Sequence, residues 1–143
     1  MTKLDKAKEY LKSGYSVAIL GKEELLSKES GITFIARLAN EKRNLKGYVA
    51  ADKIVGKAAA CLYVLLGVEE VYAGVLAKEG AKVLTANHVP FTYGVMADEI
   101  INRKGDGLCP MELAVKEVTT PEEAFEAVWK TLANLKKINL LNK

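Results

Sequence analysis

A short loop around residue 105 holds the densest group of side chains whose types could carry out chemistry. Two glycines flank an aspartate there, and Cys109 follows directly before Pro110. Proline favours the first position of a helix, so Cys109 is the predicted N-cap residue, where the helix dipole favours a thiolate. Cys109 is therefore a candidate nucleophile, and Asn102, Arg103 and Glu112 are candidate ligand-binding residues. The alternative is a tight turn followed by a cysteine that packs as a small apolar residue.

A second stretch, residues 52–57, places charged side chains where a predicted strand ends and a predicted helix begins. Ligands of open α/β sheets bind beyond the carboxyl ends of strands, and the free N–H groups of a helix N-terminus favour an anion. Asp52 is therefore a candidate base, whereas Lys53 and Lys57 are candidate partners of a phosphate or carboxylate. The alternative is a surface ion pair between Asp52 and a lysine, which would contribute little to stability.

The residue inventory argues against several other kinds of site. The chain has one histidine, His88, and two cysteines that are far apart, with Cys61 inside a predicted apolar helix. These residues lack the spacing of zinc ligands, so we predict neither a metal ion nor another cofactor. A Ser-His-Asp triad would have to use His88, and the chain has no nucleophile-elbow motif.

Charge and hydropathy exclude further classes of protein. The net charge is only +3, no dense basic block is present, and aromatic residues make up 7% of the chain, so we do not expect nucleic acid as a partner. The longest apolar run, residues 58–66, is far shorter than the ~20 residues of a membrane span, and the N-terminus has no signal-peptide pattern. We therefore expect a cytoplasmic protein away from the membrane, with a homo-oligomer as an open possibility.

The elements that must position these residues form one predicted domain over residues 1–143, whose length and 50% hydrophobic content suffice for a core. Apolar runs predict strands at residues 16–21, 25–27, 47–55, 68–76 and 89–95. Helical periodicity predicts helices that end near residues 13 and 40, helices at 57–66 and 78–87, and helices that begin at Pro110 and Pro121. The last helix is predicted to bury an apolar stripe that ends at Leu135. Alternating strands and helices favour a three-layer α/β domain with a mixed sheet.

Three segments, residues 52–60, 70–73 and 101–112, resemble a family of small bacterial and archaeal proteins. That family is catalogued as a domain of unknown function and placed in the cytidine deaminase-like superfamily. The resemblance implies a three-layer α/β/α sandwich with a mixed five-stranded sheet. True deaminases of this superfamily open one helix with His-x-Glu or Cys-x-Glu and the next with Pro-Cys-x-x-Cys, which together hold zinc.

The corresponding helices of this chain begin differently, with Gly-Lys-Ala-Ala at residues 56–59 and Ala-Lys-Glu-Gly at residues 77–80. The resemblance therefore implies the deaminase scaffold without zinc chemistry. One hypothesis is a metal-independent enzyme acting on a small polar or anionic molecule, such as a nucleotide-like one, with Cys109 as nucleophile, Asp52 as base, and Lys57 and Arg103 holding the anion. The alternative is a non-catalytic protein that binds or senses a small anionic metabolite in the cleft that these residues would line. An RNA-associated module is the third and least favoured hypothesis.

Overall fold

Helices and strands alternate along the chain in the order that the sequence predicts. The computed structural model describes residues 1–135. Its strands are β1 (Val17–Leu20), β2 (Glu24–Ser27), β3 (Val49–Val55), β4 (Glu70–Ala77) and β5 (Phe91–Ala97). Its helices are α1 (Lys3–Lys12), α2 (Gly31–Asn40), α3 (Lys57–Leu66), α4 (Lys78–Ala86), α5 (Pro110–Val115) and α6 (Pro121–Asn134). No helix within residues 1–135 is long and apolar enough to cross a membrane.

The five strands form one mixed sheet in the order β2-β1-β3-β4-β5. Strand β1 runs antiparallel to both of its neighbours, whereas β3, β4 and β5 are parallel. Parallel strands need crossover connections, and α3 and α4 provide them. Because β3, β4 and β5 run in the same direction, the residues that follow them meet at one edge of the sheet. We call this edge the carboxyl edge.

Helices cover the sheet on both faces, because alternate residues of β1 are buried in two different clusters. Ala18 and Leu20 pack with Ala7 of α1 on one face. Val17 and Ile19 belong to the larger core on the other face, which α2, α3, α4, α5 and α6 build. The prediction of an α/β domain with a mixed five-stranded sheet is confirmed.

Helix α3 lies at the centre of the larger core, because its side chains are apolar on nearly every side. It packs against α2, α4, α5 and α6. Gly67 ends the helix in the left-handed conformation, with φ +80°, which glycine adopts without steric cost. The prediction of a buried central helix at residues 57–66 is confirmed.

Several predicted boundaries differ from the structure for physical reasons. Strand β5 starts after Pro90, because proline has no N–H group to donate to a neighbouring strand, and it ends at Ala97, two residues later than predicted. Strand β4 starts at Glu70, since the amide of Val68 donates to the Tyr63 carbonyl and so belongs to the end of α3. Leu135, which was predicted to be buried, is 46% exposed because it lies at the C-cap of α6.

Candidate functional site

The N-terminus of α3 is capped by a side chain from a distant part of the chain. The Glu112 carboxylate accepts hydrogen bonds from the backbone amides of Lys57, at 2.8 Å, and Ala58, at 3.0 Å. A Cβ atom on Gly56 would overlap this carboxylate, so the glycine makes room for the cap. The amides that the sequence offered to an external anion therefore hold the chain's own Glu112.

The side chain of Lys57 completes a reciprocal contact between α3 and α5. Its Nζ donates to the carbonyl oxygens of Val118, at 2.7 Å, and Lys116, at 3.2 Å, just beyond the C-terminus of α5. Carbonyl groups at a helix end lack partners within the helix, and a lysine satisfies them while complementing the negative end of the dipole. Lys57 and Glu112 thus join the two helices at the carboxyl edge.

A pocket of about 310 Å³ opens beside this pair, at the carboxyl edge of the sheet. Residues from four places in the chain line it: the start of α3, the β4–α4 junction, the segment after β5, and α5 with the residues that follow it. They are Lys57, Ala77, Glu79, Asp98, Glu99, Ile100, Leu108, Glu112, Lys116 and Glu117. The pocket lies where open α/β sheets bind ligands.

Carboxylates dominate the charge of this pocket, with five of them against two lysine ammonium groups. Glu112 is held by the α3 amides, and Asp98 pairs with Lys78 at 2.6 Å. Glu99 and Glu117 form no ion pair within residues 1–135. Glu79 pairs with Lys82 at 3.0 Å, and the Lys57 ammonium group donates to two carbonyl oxygens.

Asp52 lies beneath α3 rather than in the pocket. Its side chain is 4% exposed, and its Oδ2 accepts a 2.6 Å hydrogen bond from the Tyr63 hydroxyl. Its Oδ1 accepts from the Ile54 amide at 3.2 Å. Burial raises the Asp52 pKa to about 7, against the opposing effect of these two hydrogen bonds. A base must approach the proton that it removes, and Asp52 has no such access to a ligand in the pocket.

The remaining predicted residues are not among those that line the pocket. Lys53 and Arg103 are exposed. Asn102 makes hydrogen bonds within its own loop, because it accepts one from the Gly105 amide and donates one to the Asp106 carboxylate. Cys109 is the N-cap residue of α5, as predicted, but it is half-buried against the larger core. The structure thus brings Lys57 and Glu112 together and leaves Asp52 and Cys109 outside the pocket.

The sequence matches a known family over nearly its whole length. Residues 6–132 match the family described as domain of unknown function DUF1893. The chain belongs to the DUF1893 family. It is similar to the crystal structure of a DUF1893 family protein from Thermotoga maritima, with 27% identity and a TM-score of 0.81 over 89% of this chain and 87% of that one. Among curated proteins, none matches this sequence.

The residues of this DUF1893 chain do not fit the zinc site of true deaminases. The first turn of α3 offers Lys57, Ala58 and Ala59, none of which is a zinc ligand in such a site. Within residues 1–135, no three His, Cys, Asp or Glu side chains are grouped so that they could hold a metal ion.

Sequence reasoning missed the acidic residues of the pocket, although a signal for them was present. Asp98 and Glu99 follow the last strand closely, but the predicted end of that strand at Val95 separated them from it. It also missed Tyr63 as the partner of Asp52. A tyrosine inside an apolar helix needs a partner for its hydroxyl group, and that requirement was the available signal.

Proposed function

We propose that the DUF1893 chain binds a small polar molecule with at least one positively charged group in the pocket beside Lys57 and Glu112. The excess of carboxylates over ammonium groups in that pocket carries the proposal. Glu99 and Glu117 would attract the cation, while Ala77, Ile100 and Leu108 would contact an apolar part of the same molecule.

This proposal favours a binding or sensing protein over an enzyme. Cys109 is not among the residues that line the pocket, and the side chain of the buried Asp52 accepts its hydrogen bonds from Tyr63 and Ile54 within the core. An anionic ligand, which the sequence suggested, would have to displace Glu112 from the α3 amides. A positively charged ligand therefore leaves the Glu112 cap in place, whereas an anion at the α3 amides would remove it.

A thermal-shift comparison tests the charge of the ligand. Spermidine and arginine are compared with inorganic phosphate and citrate at equal ionic strength. A ligand at a hundred times its Kd stabilises by about 2.7 kcal/mol, which raises Tm by roughly 6–10 °C for a chain of this size. We expect such a rise with at least one cation and none with the anions.

Variants then locate the binding site. Glu99→Gln and Glu117→Gln should reduce the shift, whereas Glu126→Gln, on the exposed face of α6, should leave it unchanged. Stabilisation by phosphate or citrate alone would overturn the proposed ligand class. A shift that survives both pocket variants would place the ligand elsewhere.

We also propose that the scaffold is a zinc-independent, three-layer sandwich of the cytidine deaminase-like kind. The mixed five-stranded sheet, the helices on both faces and a pocket beside the N-terminus of the central helix support this relationship. Metal analysis of the dialysed protein tests the zinc-independent part, because about one zinc per chain would contradict it. A cytoplasmic location stays a prediction.

A further inference from the structure

A second, smaller cavity adjoins the pocket at the carboxyl edge. Its volume is about 190 Å³, it lies between α3, α4 and residues 118–121, and we call it the side cavity. Its lining residues are Lys57, Cys61, Glu79, Lys82, Val83, Ala86, Asn87, Val118, Thr119 and Pro121. Lys57 and Glu79 line both cavities, so the two meet at these side chains.

The polar side chains around the side cavity bond to groups of the chain itself. Glu79 pairs with Lys82 at 3.0 Å, and the Thr119 hydroxyl donates to the Glu123 carboxylate at 3.2 Å. The side-chain amide of Asn87 donates to a backbone carbonyl of α4 at 2.8 Å. The side cavity therefore gives a charged group of a ligand little to bind.

The rest of the lining is mainly apolar. Val83, Val118 and Pro121 are half-buried, and Cys61 is only 3% exposed. Burial raises the Cys61 pKa to about 11, so its thiol is neutral and packs as a small apolar group. Because the Lys57 ammonium group donates to carbonyl oxygens beyond α5, its methylene groups are left to face a ligand. An apolar cavity of about 150 Å³ is large enough to hold benzene, so the side cavity can accept a group of that size.

We propose that the side cavity holds an apolar arm of the same ligand whose positively charged group lies in the pocket at the carboxyl edge. The ligand class is thus an organic cation that carries an aryl or alkyl arm, an assignment that rests on the proposed function. The cation lies near Glu99 and Glu117, which form no ion pair within the described part of the chain. The arm passes between Lys57 and Glu79 into the side cavity.

NMR titrations of the ¹⁵N-labelled full chain, at equal ionic strength, test the arm. The probes are ethylammonium, phenethylammonium and 4-phenylbutylammonium, together with 2-phenylethanol, which carries a ring without a charge. Burial of the ring removes apolar surface from water, so at least one arylalkylammonium ion should bind at least tenfold more tightly than ethylammonium. That ion should shift the amide signals of Cys61 and Val83, and ethylammonium should not.

Two leucine substitutions in the last turn of α4 locate the arm. Ala86 is exposed and lines the side cavity, whereas the neighbouring Thr85 is exposed and lines neither cavity. Ala86→Leu should reduce the advantage of the arylalkylammonium ion over ethylammonium at least fivefold, because the larger side chain fills the side cavity. Thr85→Leu is the matched control and should leave that advantage unchanged. Melting curves establish that both variants are folded.

The possible failures separate this inference from the proposed function. Equal affinities of ethylammonium and both arylalkylammonium ions would overturn the arm and leave the proposed cation site intact, and so would an advantage that survives Ala86→Leu. Binding of 2-phenylethanol as tight as that of phenethylammonium would overturn both, because the charge would then contribute nothing. If none of the three ions binds, the arm is wrong, and the comparison of spermidine and arginine with the anions decides whether the cation site is wrong too.

Discussion

Removal of the Glu112 carboxylate should destabilise α3 at a distance of more than fifty residues along the chain. Glu112→Ala leaves the amides of Lys57 and Ala58 without their acceptor, and Ala58 is only 1% exposed. Loss of an N-cap costs about 0.5–2 kcal/mol, and an unsatisfied buried donor costs about 1–3 kcal/mol. We therefore expect a loss of about 1–3 kcal/mol and a fall in Tm of roughly 3–10 °C.

Gly56→Ala should cause most of the same loss of stability by a different route. The Glu112 side chain is still present in this variant, but the new Cβ atom at residue 56 would displace its carboxylate from the α3 amides. The two substitutions together should then cost little more than Glu112→Ala alone. Such strong non-additivity is expected only if both changes disrupt one contact.

Urea denaturation of the wild type, the two single variants and the double variant, at one pH, measures the coupling between Gly56 and Glu112 directly. Glu126→Gln is the control for removal of a carboxylate, because Glu126 is exposed and makes no hydrogen bond or ion pair within residues 1–135. Additive losses would refute the argument that Gly56 is required by the cap. A Glu112→Ala protein as stable as the control would refute the cap itself.

Three further predictions follow from burial. Asp52 has a raised pKa in the folded state, so its effect on stability is most favourable below pH 4 and is lost as the pH rises through about 7. Urea titrations from pH 4 to pH 8 should show the free energy of unfolding decline by up to about 4 kcal/mol. Asp52→Asn should flatten this decline, and a decline that survives in the variant would contradict the buried carboxylate as its source. Ala60→Leu should cost about 1–3 kcal/mol in the same assay, because Ala60 is fully buried in α3, and an unchanged midpoint would make that helix peripheral. A mild alkylating reagent near pH 7 should label the half-buried Cys109 before Cys61, whose burial raises its pKa to about 11, and mass spectrometry showing the reverse order would contradict the packing of α3.

The parts of the fold that depend on local pattern could be predicted from the sequence. The apolar run of α3, closed by Gly67, shows a buried helix without knowledge of its neighbours. Thr120 and Pro121 likewise mark the start of α6, where the Thr120 hydroxyl accepts from the Glu123 amide. The alternation of strands and helices gave the mixed sheet, because parallel strands need helical crossovers.

The candidate site could be predicted only in part, because it depends on contacts between distant segments. Residues at the end of β3 were correctly linked to the N-terminus of α3, but the sequence does not show which group caps that helix. Glu112 fills that position from α5. Asp52 was expected near the surface, whereas it points into the core toward Tyr63. The alternation of side chains along a strand predicts which face of the sheet a residue lies on, but it does not predict which helix covers that face.

The contact between Glu112 and α3 also links the local motions of two helices. The amides of Lys57 and Ala58 can exchange with solvent deuterium only while the Glu112 carboxylate is released, through rotation of its side chain or movement of α5 away from α3. Lys57, Glu112 and Lys116 form one wall of the pocket, so each release also changes that wall. The exchange of two amides in the central helix therefore reports how often the wall of the pocket rearranges.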